Sequence, residues 1–514
     1  MLRHGFASLC LLAALPAQVL RVPSQHASIA AALAAASSGT TILVAPGTYT
    51  ETLTWPARDG IRLASEAGSS QTRIDAAQLG RPLTFGSSVI TRKTVVDGFE
   101  ITGGLQNTAS GRNNGAGILI SGSSPTLIRN RIASNVSDGT SWNYGGGVHV
   151  TGASNPLITG NLVENNELRN GSWNYGAGIY VDTGSAAEIV GNTIRANKNL
   201  SPSNGSGNRG HGAGIYAGGS NVVIASNLVV DNENNVTAWN YGAGILANAG
   251  GTLTIVNNTI IGNKCTGGIW IHGAGFYATG SGGSLVFTGN IVAKNAASGG
   301  SSQGAGGLHS SSLTTALTLD WNDVWQNTGG DYVGFTKAAN DLGVDPLFAS
   351  ATSYDLAPAS PLVDAMPSTW LPANVGIDYR GGSRRSDGNG DGLSGNAARL
   401  DIGAAELSGA ALSLSGALKL GTTPTLQVTA GKPSRHVVAL DIDLAVQLVE
   451  PAGYLLLSQN YVTLATGVTP ATVPLTIPTS SALAGLTVHF QAATTTLANP
   501  YVGSVTNVVS ATIF

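Results

Sequence analysis

Three copies of one aromatic triplet punctuate the middle of the chain: Trp142-Asn143-Tyr144, Trp173-Asn174-Tyr175 and Trp239-Asn240-Tyr241. Each stands directly before a glycine. Trp270-Ile271-His272 and Arg209-Gly210-His211 hold the same place as variants. Indole and phenol faces pack on the C–H faces of sugar rings, and Asn and His offer polar contacts to hydroxyls. Repeated in stacked segments, these residues would form a column of rings. Such a column either receives a sugar chain or stacks on itself and braces the chain, each aromatic pair being worth ~1 kcal/mol. Short apolar runs follow the triplets, and strand alternation turns His149, Tyr180, Asp182, Tyr216, Asn248 and Tyr277 outward on them. His149, Tyr180, Asp182 and Tyr216 fall in three successive repeats, near Tyr175 and His211. A Tyr/His set could abstract a proton beside a uronic-acid carboxyl, which Arg209 could neutralise. The candidate catalytic residues are therefore His149, Tyr180, Asp182, His211 and Arg209. The candidate sugar-contacting residues are Trp142, Tyr144, Trp173, Tyr175, Tyr216, Trp239, Tyr241, Trp270, His272 and Tyr277. Against both stands the plainer reading, in which these side chains are bystanders on a solvated face.

Acids are scarce on this face. Paired-carboxylate hydrolysis needs two converging acids, and calcium-assisted elimination needs a cluster of them. Only Asp182 falls there, whereas Glu164, Glu167, Asp231 and Glu233 lie on a later run or the loop after it. A separate metal signal stands near the C-terminal side. Asp387-Gly388-Asn389-Gly390-Asp391-Gly392 alternates oxygen ligands like the start of a calcium loop. The twelfth position is Ala398 rather than an acid, so a complete EF-hand is excluded. A structural calcium ion held by Asp387, Asn389, Asp391 and Asp401 is the expectation.

The elements that must position these residues are legible as a repeat. A Gly-small-Gly triplet begins at Gly115, Gly145, Gly176, Gly212, Gly242, Gly273 and Gly304, which by subtraction are 30, 31, 36, 30, 31 and 31 residues apart. Asparagine pairs five apart keep pace, from Asn130/Asn135 through Asn161/Asn166 to Asn322/Asn327. Between these marks run three short strand-like segments per repeat, such as Val148-His149-Val150. Apolar residues recur in columns, for instance Ile132, Val163, Ile194, Val229 and Ile260. No helix-length segment separates the strands, so turns stacked ~4.8 Å apart into a parallel β-helix are expected. The first asparagine of each pair should sit in a left-handed turn and form a structural ladder.

The chain has 514 residues, 10% of them charged, and a net charge of -3. That charge excludes the basic footprint of a nucleic-acid binder. Residues 1–17 read as an export signal, with Arg3 and His4, an apolar run from Phe6 to Leu15, and small residues at Pro16-Ala17. No later segment is long and apolar enough to span a bilayer. Cys10 leaves with the signal and Cys265 is then alone, so the mature monomer expected here has no disulfide. An Ala-rich amphipathic helix at 24–37 would cover the exposed strand edge. Residues 18–407 make the β-helix, with a Pro- and Gly-rich closing segment from about 328. Residues 408–514 alternate like a small β-sandwich.

The stretch Ile42-Leu43-Val44-Ala45-Pro46-Gly47-Thr48-Tyr49 resembles the first turn of pectin-lyase-like β-helix proteins. The Gly-Ala-Gly-Ile and Asn-x-(Ile/Leu/Val) repeats resemble the right-handed β-helix repeat. Asp345-Pro346-Leu347-Phe348, Ser360-Pro361-Leu362-Val363-Asp364 and Asp401-Ile402-Gly403-Ala404 resemble the closing segment of exported bacterial β-helix proteins. The resemblance covers residues 20–407. It implies an all-β, right-handed parallel β-helix that is secreted or held at the cell surface, with substrate along the first strand of each turn. That superfamily holds lyases, methylesterases, polygalacturonases and non-catalytic surface proteins, so the fold does not choose among them. The expected partner is an extracellular polysaccharide, handled by a lyase; the alternative is non-catalytic carbohydrate binding or adhesion.

Overall fold

The computed structural model describes residues 18–407 except 109–110, 202–206, 301, 351–352, 374, 382–383 and 385–398, and beyond 407 chiefly strands. The proposed export signal at 1–17 and the calcium-loop residues Asp387, Asn389 and Asp391 lie outside the described residues.

The chain winds as a parallel β-solenoid. One turn shows its anatomy: Trp142–Tyr144, Val148–Thr151, Leu157–Thr159, Leu162–Glu164 and Glu167–Arg169. Each strand pairs in parallel and in register with its equivalent one turn on. A ten-stranded column runs from Gly47–Thr50 to Asp323–Trp325. Two seven-stranded columns end at Ala296–Ser298 and Ser302–Gln303. Five strands per turn exceed the three expected. The aromatic triplets, which lie outside the three expected runs, are strands. Their inward residue is an asparagine rather than an apolar side chain, so they carry no hydrophobic alternation.

The core follows from the pleat. Val148, Val150, Ile158 and Val163 are fully buried and belong to one cluster that runs the length of the solenoid. Glycine makes the corner after each triplet. Gly145 sits at φ +61°, and a Cβ there would lie 2.6 Å from the carbonyl oxygen of Val148 and 2.7 Å from Cβ of His149.

Two asparagine ladders tie the turns together. The backbone N–H and side-chain amide of Asn130 both donate to Oδ1 of Asn161, at 2.9 and 3.1 Å. The same pattern repeats turn by turn to Asn322. A parallel ladder runs from Asn135 to Asn327. Every asparagine-to-asparagine bond runs toward the C-terminal end, while each side-chain amide also donates to a backbone carbonyl of the preceding turn, so the last asparagine of each ladder needs an acceptor. Asn322 donates to Oδ1 of Asp341 at 2.8 and 3.2 Å, and Asn327 to Oδ1 of Asp331 at 3.1 and 2.8 Å. A carboxylate accepts without demanding a further partner, which suits it to end the series. The left-handed residue is the one before each asparagine rather than the asparagine itself: Arg129 at φ 55°, Ser134 at 55°, Lys294 at 54°. The asparagine is held instead by its ladder bonds.

A further ladder, of alternating charge, lies on the ten-stranded column: Arg73, Glu100, Arg131, Glu164 and Arg195 pair in sequence. It keeps Glu164 far from the aromatic face. The helix spans Ile29–Ala35, shorter than the 24–37 expected. Ser28 accepts the N–H of Ala31, and Glu51 accepts those of Ile29 and Ala30, so the first turn starts there. Its Ile29, Ala32 and Leu33 join the core beside Val19–Val22. The segment after 342 lies along the flank of the solenoid, where Leu362, Met366 and Ile402 pack with Val256, Ile261 and Ile291. From Ala410–Ser415 to Val509–Thr512 the strands pair antiparallel. Most of their side chains lie outside the described residues, as does any packing of sheet on sheet. Among the described residues no helix is long and apolar enough to cross a membrane.

Candidate functional site

The triplet strands present alternate residues inward and outward. Their central asparagines are fully buried: Asn113 donates to Asn143 at 3.0 Å and Asn143 to Asn174 at 2.9 Å. Tryptophan and tyrosine are thereby turned outward, one column each. Register puts Arg112, Trp142, Trp173, Arg209, Trp239 and Trp270 in the first column. Adjacent strands are ~4.8 Å apart, which is a stacking distance, so flat side chains on successive turns must cover one another. Trp142 and Trp173 stack at 4.7 Å with planes 5° apart. The guanidinium of Arg209 lies 4.6 Å from the Trp173 ring and 4.1 Å from that of Trp239, and Arg112 lies 4.4 Å over Trp142. Only ring edges of Trp142 and Trp173 remain for solvent. Trp270 differs: its neighbour on the next turn is Ser302, and it is 43% exposed.

The second column carries Tyr144, Tyr175, His211, Tyr241 and His272. The third, on the strands after the glycines, carries His149, Tyr180 and Tyr216, then Leu246 and Tyr277. The glycine corner folds these two columns face to face. Tyr144 lies 4.8 Å from Tyr180, Tyr175 5.2 Å from Tyr216, and Tyr241 4.7 Å from Tyr277. His211 is stacked between Tyr175 and Tyr241 at 4.9 and 5.1 Å.

At the N-terminal end of this angle lies a pocket of about 230 Å³, lined by Arg112, Asn114, Tyr144, His149, Thr151, Tyr180 and Asp182. Asp182 accepts hydrogen bonds from Thr151 at 2.9 Å and from the Tyr180 hydroxyl at 3.2 Å. His149 is 3% exposed, and neither ring nitrogen has a hydrogen-bond partner among the described residues. Burial pushes its imidazole down to about 3, so it is neutral near pH 7. Burial pushes the Tyr144 phenol up to about 12 and raises that of Tyr180 further, with Asp182 adding to the effect.

The structure therefore brings His149, Tyr180 and Asp182 into one pocket. It places His211 and Arg209 one turn further along, inside the ring stacks. The sequence reading missed Arg112, Asn114 and Thr151. Arg112-Asn113-Asn114 is the triplet of the preceding turn, and its place before Gly115 was the available signal. Asp401 is fully buried among other groups. Its carboxylate accepts the N–H of Asp364 at 2.8 Å and of Leu407 at 2.6 Å, and burial pushes it up to about 7. Asp364, Asp401 and Glu406 bring ligand oxygens within 4.8 Å of one another, beside the guanidinium of Arg384. Three carboxylates against one guanidinium are a donor set that fits a divalent cation.

A family model described as a right handed beta helix region matches residues 84–302. The chain is similar to the solved structure of pectate lyase Pel9A, with a TM-score of 0.40 and 16% identity over 74% of this chain and 90% of that one. No curated protein matches it. The stacked parallel columns together with the matched region make the solenoid a right-handed parallel β-helix.

Proposed function

We propose that this right-handed parallel β-helix protein binds an extracellular polysaccharide along the aromatic face without cleaving it. The observation that carries the reading is the pocket: two tyrosine walls and convergent guanidinium, amide, imidazole, hydroxyl and carboxylate groups, the makeup of a site that orients a sugar unit. At about 230 Å³ it falls below the roughly 300–1,000 Å³ of drug-sized sites, so it admits one unit of a chain. The rest of the chain lies across the turns toward the open face of Trp270. Proton transfer is most efficient when a catalytic group titrates near the working pH. His149 and Tyr180 titrate far to either side of it.

One observation favours a second reading, a lyase. Unprotonated His149 could accept a proton, Tyr180 could protonate the departing oxygen, and Arg112 could neutralise a carboxylate in the same pocket. Affinity electrophoresis on a panel of acidic and neutral polysaccharides, with absorbance of unsaturated products followed on the same samples, separates the two. Binding predicts retarded migration without products, weakened at least tenfold in Arg112→Ala. Products lost in His149→Ala would establish the lyase. Neither signal on any polysaccharide would remove both readings. A structural calcium ion at Asp401 belongs to the same proposal. It predicts that calcium raises the melting temperature of the wild type but not of Asp401→Ala.

A further inference from the structure

A parallel solenoid leaves an unpaired strand edge at each end, and such edges attract further strands unless they are blocked. At the N-terminal end the helix Ile29–Ala35 packs beside Val19–Val22. The other end is different. The strand Leu308–Asp320 pairs with Phe276–Thr288 along one edge. Among the described residues its other edge pairs only at Leu308 and His309, with Tyr332–Val333. Ser312 sits at φ 54°, where the pairing with Phe276–Thr288 shifts register. Among the described residues the edge is free over Leu313-Thr314-Thr315-Ala316-Leu317-Thr318-Leu319, which holds no charge, no proline and no glycine. Leu317 stands in register on the fully buried Leu285, yet is 42% exposed. It continues an interior column, and no described strand stacks on it.

This heptad is close to a palindrome. Turned about Ala316, Leu313 meets Leu319, Thr314 meets Thr318 and Ala316 meets itself, while Thr315 meets Leu317 as the one unlike pair. We propose that the edge is the interface of a two-fold symmetric dimer, in which Leu313–Leu319 of two copies pair antiparallel about Ala316. A two-fold interface demands self-complementarity, and this sequence supplies it. Cross-strand Thr–Thr and Leu–Leu pairs are favourable, and no like charges oppose each other. Both copies turn the Leu317 side of the strand to the same face of the joined sheet, where each Leu317 lies opposite Thr315 of the partner subunit and diagonal to the partner's Leu317. This replaces the monomer expected from the sequence.

Light scattering on the full-length chain over a dilution series should give twice the 51.8 kDa chain mass. Leu317→Lys should shift it to the chain mass while melting stays cooperative. Residue 316 lies on the two-fold axis, where antiparallel partners have Cα atoms about 4.5–5.5 Å apart, within disulfide range. Ala316→Cys should therefore oxidise to a covalent dimer, while Thr318→Cys, which faces Thr314 of the partner subunit, should not. Cys265 is buried and does not compete, and both variants carry Cys10→Ser. Should Leu317→Lys fail to fold, the cysteine pair decides alone. A chain-mass species at every concentration overturns the proposal, and so does equal cross-linking through residues 316 and 318. Protection of 313–319 from hydrogen exchange in a monomer also overturns it, by assigning the edge to another part of the same chain.

Discussion

His149, His211 and His309 share a physical state. Burial pushes the first two down to about 3 and the third to about 4. These values lie below the ordinary 6.5, so between about pH 6.5 and 3 the unfolded chain binds protons that the folded chain refuses. Their stabilising effect is complete above pH 6.5 and is lost as the pH falls. Each such imidazole contributes at most about 1.4 kcal/mol per pH unit in that window. His211→Phe should keep the ring stack and flatten the fall in melting temperature between pH 6.5 and 4; a slope parallel to the wild type would contradict this. The tryptophans divide in the same way. Trp173 is covered on both faces, by Trp142 and Arg209. Trp173→Ala should cost about 1–3 kcal/mol of stability through two lost stacking contacts. Trp270→Ala, at an open face, should leave denaturant unfolding within about 0.5 kcal/mol of the wild type.

The turns are joined by ladders that run one way and end on acids. Asp331 supplies one oxygen to both donors of Asn327. Asp331→Ala should destabilise by about 1–3 kcal/mol because those donors lose their acceptor, whereas Asp331→Asn keeps the amide oxygen and should cost less. Equal losses in chemical denaturation would contradict the directional ladder. These elements were legible in unequal measure. The Gly115-to-Gly304 and Asn130-to-Asn327 marks are residues held at fixed positions of every turn by the glycine corner and the asparagine ladders, so their spacing announced the repeat. The strand character of Trp142–Tyr144 and Glu167–Arg169 was not legible, because the inward residue of the first is a hydrogen-bonded asparagine. Arg112 escaped notice because its triplet lacks the aromatic residues that mark the others, although it faces the same pocket. The crowding of the columns was a matter of distance: strand spacing equals ring-stacking spacing, so residues placed to touch sugar by their faces touch one another first.

At the scale of the whole molecule, the pocket around His149 and the open face of Trp270 occupy the two ends of one aromatic face. From Trp142 to Trp270 the register steps through four turns, about 19 Å at the strand spacing. A chain anchored in the pocket reaches Trp270 only if it spans that distance. The deciding measurement is affinity against oligosaccharide length, by calorimetry, for the wild type, Arg112→Ala and Trp270→Ala. Wild-type affinity should climb with length until the oligosaccharide spans about 19 Å and then level off. Trp270→Ala should match the wild type on short oligosaccharides and lose the later part of the climb, while Arg112→Ala should weaken binding at every length. Affinity independent of length, or unchanged by both substitutions, would contradict a binding face that runs from the pocket to Trp270.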